Sequence, residues 1–322
     1  MLAKKIARAI IVCLAPLTLQ LSLSATVIAQ AWVPPKGEGS VTLTYQKVDV
    51  RDHFDRSGTK EDRGRIHTHN MIMSLEYGLT DKLALDFHLA YVASKWVGPG
   101  LRPHGPLDDG LYHPMFQDTH LELRYKVIKK PLVVTPFIGI SIPTHDYEVR
   151  GHVAVGRGFK ELLVGANVGR QLDPILPDGY VHVRYSFAKL KRFEGLNLNR
   201  SNVDWEVGWF ANRSIALRFI GGWQKTHGGF DFPGDIHGPD DFEIHDRVAK
   251  ANYVQLGGGV TFSINRSFDI HAAYATTVSA RNTHGDAGLI LGFSWRFSRG
   301  SAGRIAANTS SNKLPTLGQG MF

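Results

Sequence analysis

Apolar and polar residues alternate along the chain with a period of two. In "SLEYGLTDKLALDFHLAYV" (74–92), Leu75 and Tyr77 alternate with Ser74 and Glu76, extending back through Met71, Ile72 and Met73. Beyond Thr80-Asp81, Leu83, Leu85, Phe87, Leu89 and Tyr91 alternate with Asp86 and His88. Period-two alternation places the two sets on opposite faces of a strand. Twelve such segments are predicted, at 40–50, 66–78, 83–95, 117–128, 132–142, 159–170, 180–188, 202–211, 214–226, 251–263, 267–278 and 286–297. Long stretches with a helical period are missing.

The connections carry as much information as the strands. "LTDK", "IKKP", "NRS" and "INRS" are short, and "QLDPILPDG" is somewhat longer. They alternate with connections at 51–65, 96–116, 143–158, 189–201, 227–250 and 279–285, most of them long and polar. A soluble β-sandwich has no reason to keep this rhythm. A transmembrane barrel does, because short turns face the periplasm and longer loops face outside. The predicted fold class is therefore all-β: a transmembrane antiparallel β-barrel of about 12 strands. An even strand count puts both termini in the periplasm.

The first residues fit export. Lys4, Lys5 and Arg8 precede an apolar run at 9–23, and Ala29 and Ala31 occupy the small positions of a cleavage site. The predicted organisation is a signal peptide at 1–31, a periplasmic N-terminal segment at 32–39, a barrel at 40–297 and a flexible periplasmic tail at 298–322. A retained anchor is the alternative for the first segment. Val12 before Cys13, the one cysteine, does not suit a lipoprotein, and the mature chain has no disulfide framework. Removing three leader cations from a net charge of +8 leaves +5, with mixed signs throughout, so nucleic acid is not an expected partner. The mature chain has no apolar run of about eighteen residues, which excludes a membrane helix but not a barrel.

The alternation sends an inward set to the lumen: Glu76, Asp86, His88, Asp118, His120, Glu122, Arg124, Glu161, His182, Arg184, Asp204, Glu206, Arg218, Asp269, His271 and Arg296. Low-dielectric walls make unpaired charges expensive, so these residues should pair. They then serve as a rigidifying network, as a polar constriction selecting solutes, or as both. Trp96, Tyr112, Phe116, Phe230 and Phe232, with Leu111, are mouth candidates. Trp96, Trp209, Trp223 and Trp295, with Tyr77, Tyr91, Tyr125 and Tyr185, suit an interfacial girdle. Asp118, His120 and Glu122 project to one side, but no second cluster must meet them, and no metal site is expected there. The acidic "GGFDFPGDIHGPDDFEIHD" lacks calcium-loop spacing and reads as a solvated loop gating the mouth. No "GxSxG", "HExxH" or phospholipase-like serine-histidine setting is present, "GRGFKE" opens no helix, and neither an enzyme nor a cofactor is expected.

"AWVPPKGEGSVTLTYQ" and "SLEYGLTDKLAL" resemble the bacterial outer-membrane proteins named for the meta-pathway of phenol degradation, over most of 32–297. The resemblance implies an outer-membrane barrel that passes small, often aromatic, solutes, and it supplies no catalytic residue. "GFSWRF" resembles the terminal signal read by the barrel assembly machinery, with Gly292, Trp295 and Phe297 in place. It departs from that pattern at Ile290 and in the 25 residues that follow Phe297. The expected function is an outer-membrane channel for passive uptake of small organic solutes, aromatic ones among them. The alternatives are a structural or surface-binding barrel, or a lipid-modifying enzyme. The expected surroundings are outer-membrane lipid and lipopolysaccharide.

Overall fold

The structure, a computed structural model, describes residues 31–298 except 63, 99–105, 233 and 236–242. Residues 1–30 of the predicted 1–31 leader, and all but the first residue of the predicted tail, lie outside the described residues. The strands are β1 (Glu38–Phe54), β2 (Lys60–Glu61), β3 (Arg65–Gly78), β4 (Leu83–Val97), β5 (His113–Tyr125), β6 (Val133–Pro143) and β7 (Glu161–Gln171). They continue as β8 (Gly179–Leu190), β9 (Arg200–Phe210), β10 (Ile215–Thr226), β11 (Asn252–Ser263), β12 (Phe268–Arg281) and β13 (Thr283–Ser298). β2 is a two-residue extension against the end of β1. The other twelve pair antiparallel with their neighbours, and β13 pairs with β1 from Glu38↔Ser298 to Phe54↔Thr283. Closure leaves no long strand with an unpaired edge, which is the condition for a sheet to cross lipid.

The connections 79–82, 126–132, 172–178, 211–214 and 264–267 lie at one end, and the described residues of 55–64, 98–112, 144–160, 191–199 and 227–251 lie at the other. Both ends of the barrel sequence, Glu38 and Ser298, sit at the short-turn end. One connection differs from the predicted 279–285 loop. β12 runs to Arg281 and β13 resumes at Thr283, so only Asn282 joins them. Asn282 adopts φ 51°, a left-handed conformation that asparagine tolerates better than most residues. Below it the two strands separate: β12 stays paired with β11 to Arg281, and β13 with β1 from Thr283. Outer neighbours thus satisfy the backbone that a loop would have left to water.

Burial runs opposite to that of a soluble protein. Met71, Leu123, Ile138, Phe219, Ile270 and Leu291 are exposed, whereas Gln46, Asp86, Glu122, Arg124 and Asn167 are buried. A contiguous apolar exterior of this extent needs an apolar solvent. No described helix is long and apolar enough to cross a membrane; the strands do so. Close neighbours require small residues on this wall. A Cβ at Gly165 would meet the Phe137 ring at 2.6 Å and the Tyr185 carbonyl closer still.

Two segments fold into the lumen. At the short-turn end, Ala31 and Val33 are buried, the Thr135 hydroxyl donates to the Ala31 carbonyl at 2.6 Å, and Trp32 packs against Tyr180 and His182. The Lys36 amide is held by Asp81 at 3.0 Å. The predicted 32–39 segment thus begins inside the barrel. At the long-loop end, residues 144–160 turn inward, burying Tyr147, Val153 and Val155 against Ile66, Ile72, Ala90, Val92 and Trp96.

Candidate functional site in the barrel lumen

The inward carboxylates and arginines meet across strands in matched groups. Arg124 on β5 donates from Nε and Nη2 to Asp86 and from Nη2 to Glu76. Arg184 on β8 grips Glu122 with two parallel bonds of 2.9 and 2.6 Å, lies 3.7 Å over the Phe137 ring, and reaches Asn167. Such a planar fork fixes geometry as well as charge. Glu122 also faces His120 Nε2 at 3.2 Å, and His88 Nδ1 lies 2.8 Å from the Ser74 hydroxyl. Glu206 accepts from the Tyr180 hydroxyl at 2.6 Å and faces Arg218 at 3.4 Å and His182 at 3.6 Å. Asp204 stands opposite Arg184 in register. Arg296 meets Asp269 at 3.0 Å, and His271 covers Gly292 on the next strand. The lower lumen is therefore a ring of paired charge.

β5 carries an extra residue against β4 between Leu89 and Tyr91. This bulge turns both Gln117 and Asp118 toward the interior, a local effect that strict alternation does not predict. Gln117 donates to the Val155 carbonyl at 2.5 Å, and Asp118 accepts from the Tyr147 hydroxyl. The Gly158 amide donates to the same hydroxyl at 3.0 Å. Burial and the Asp118 carboxylate push the Tyr147 phenol up. The 144–160 segment is thus tied to the wall by named bonds. Asp118 and Glu122, the first and last of the three residues expected to project to one side, are engaged by a tyrosine and an arginine.

A basic group also lines the lumen. Arg200 meets both oxygens of Glu161 at 2.5 Å. Arg157 and Arg247 each donate Nε to the other's carbonyl, at 3.1 and 2.8 Å, and both lie over Phe159. Burial, with Arg200 and Arg247 close by, pulls the Arg157 guanidinium down to about 9. Its Nη2 is buried without a hydrogen-bond partner. Sequence reading missed Arg157, Arg200 and Arg247, because 157 and 247 lie in connections and Arg200 precedes the predicted start of its strand.

These walls enclose a cavity of about 560 Å³. Of the predicted inward set, Glu76, Asp86, His88, Asp118, His120, Glu122, Arg124, Glu161, Arg184, Asp204, Glu206, Arg218 and His271 line it. His182, Asp269 and Arg296 face inward nearer the short-turn end, below it. The mouth candidates divide. Trp96 is inside, 2% exposed and stacked on His152 at 5.3 Å, not in the outer girdle. Phe230 packs under the helical turn His245–Val248, and Phe232 meets His245 at 4.8 Å. Phe116 and Tyr112 instead lie on the outer surface, against Tyr91 and His69 respectively, because the β5 bulge reverses the facing of Phe116. Trp295 and Phe297 also face outward, 5.4 Å apart.

The barrel is similar to the COG4313 outer-membrane channel of Pseudomonas putida F1, with a TM-score of 0.64 over 86% of this chain and 100% of that one, at 13% identity. This is an outer-membrane β-barrel fold. The KdgM porin, at 6% identity and a TM-score of 0.43 over 80% of this chain and 99% of that one, is too distant to carry an argument. No family model and no curated protein matches the chain.

Proposed function

We propose that this protein is an outer-membrane channel for passive entry of small organic solutes, aromatic ones among them, with the short turns and both termini in the periplasm. The cavity carries this reading. Its volume of about 560 Å³ falls in the range of ligand pockets, and its lining joins apolar side chains to many charged ones. Ile66, Ile72, Val92 and Val155 border the cavity, and Arg157, Arg200 and Arg247 line it with guanidinium donors for a phenolic or carboxylate oxygen. The resemblance to the phenol meta-pathway family points the same way. Barrel assembly through "GFSWRF" and a lipopolysaccharide surround belong to the same proposal.

Planar-bilayer recording on the purified barrel tests it. Small discrete conductance is expected, with ion selectivity shifted toward cations when Arg157 or Arg247 is replaced by Gln. A folded barrel without conductance or solute flux would favour the structural role. That second reading has its own support in the Arg124 and Arg184 clusters, whose charges are fully engaged with protein partners.

A further inference from the structure

Histidines from three separate parts of the chain converge at the long-loop end of the lumen. His53 comes from the end of β1, His284 from the start of β13, and His245 with Asp246 from the helical turn. The ligating atoms of His245, Asp246 and His284 lie within 4.8 Å of one another. His245 Nε2 and His284 Nε2 face the same oxygen, Asp246 Oδ1, at 3.1 and 3.2 Å. The second oxygen, Asp246 Oδ2, is buried with no partner. The His53 ring lies 4.5 Å from that of His284, and both its nitrogens are buried without partners.

Buried polar atoms are nearly always satisfied, so this concentration of open donors needs an explanation. We propose that His245, His284 and Asp246, with His53 as a fourth donor, form a binding site for a divalent transition-metal ion of the zinc class. Two or three imidazoles and one carboxylate suit zinc, which takes four nitrogen or oxygen ligands at about 2.0–2.2 Å. Calcium and magnesium want oxygen ligands and fit poorly. An ion here would satisfy Asp246 Oδ2 and His53 together. It would also cross-link the helical turn to β1 and β13, on the seam where the barrel closes. Asp246 and His284 line the cavity, so the ion can arrive through the lumen. Sequence reading expected no metal because the ligands are separated by long intervals and only the His245-Asp246 pair is adjacent.

The test uses the full barrel, treated with a chelator and titrated with zinc chloride by calorimetry. One zinc per chain is expected, with affinity reduced at least tenfold in His284→Ala and in His245→Ala. His67→Ala, which removes an outer-surface imidazole paired with Asp49, should bind like the parent. Zinc should raise the thermal midpoint of the parent and not that of His284→Ala. Heat-modifiable gel migration checks that each variant has formed a barrel. If the alanine variants do not fold, X-ray absorption on the zinc-loaded parent decides, and imidazole scattering is the expected result. No saturable binding, binding unchanged in folded His245→Ala and His284→Ala variants, or an all-oxygen shell would overturn the site.

Discussion

At the scale of single residues, the lumen is governed by the cost of burying charge. Arg124 is 2% exposed and holds two carboxylates, Glu76 and Asp86, from neighbouring strands. Arg124→Met leaves both uncompensated in the interior and should destabilise the barrel by about 3–5 kcal/mol. Adding Glu76→Gln and Asp86→Asn should recover most of that loss. Urea unfolding in lipid vesicles, followed by tryptophan fluorescence, measures both. This grouping was legible as a set of inward charges, because period two assigns faces without knowing contacts. Which arginine meets which acid was not, since partners such as Arg184 and Glu122 depend on register across strands far apart in sequence. The facing of Phe116 was lost for a related reason: one bulged residue reverses every side chain beyond it.

At the scale of elements, all twelve long strands were readable from alternation and turn residues, and their ends shifted by only a few positions. Residues 31–36 and 144–160 were not readable as lumen-filling segments. Neither has a strand or helix period, and their inward course is set by bonds to distant partners such as Thr135, Asp118 and Gln117. The 144–160 segment fills part of the lumen, and the Tyr147 phenol is one of its ties to the wall. Tyr147→Phe removes the hydroxyl from both Asp118 and the Gly158 amide. It should cost about 1–3 kcal/mol, the penalty for buried groups left unpaired. Replacing 146–157 by a short Gly-Ser link should raise single-channel conductance several-fold. Unchanged conductance would show that another level of the lumen limits flow.

At the scale of the molecule, the inverted burial pattern, apolar outside and polar inside, makes the barrel a membrane object. The alternation of short and long connections is the basis of the proposed orientation. Single cysteines at Lys60 and Asp109 should label on intact cells, and those at Asp81 and Asn265 only after the outer membrane is opened; the reverse pattern would invert the topology. The proposed role is passage of small organic solutes through the cavity of about 560 Å³. Liposome swelling tests it most directly, comparing phenols and aromatic acids with sugars and amino acids of similar size. Faster entry of the phenols and aromatic acids is expected, slowed when Arg157 and Arg247 are replaced together by Gln. No entry of any solute through correctly folded, correctly inserted barrels would contradict it.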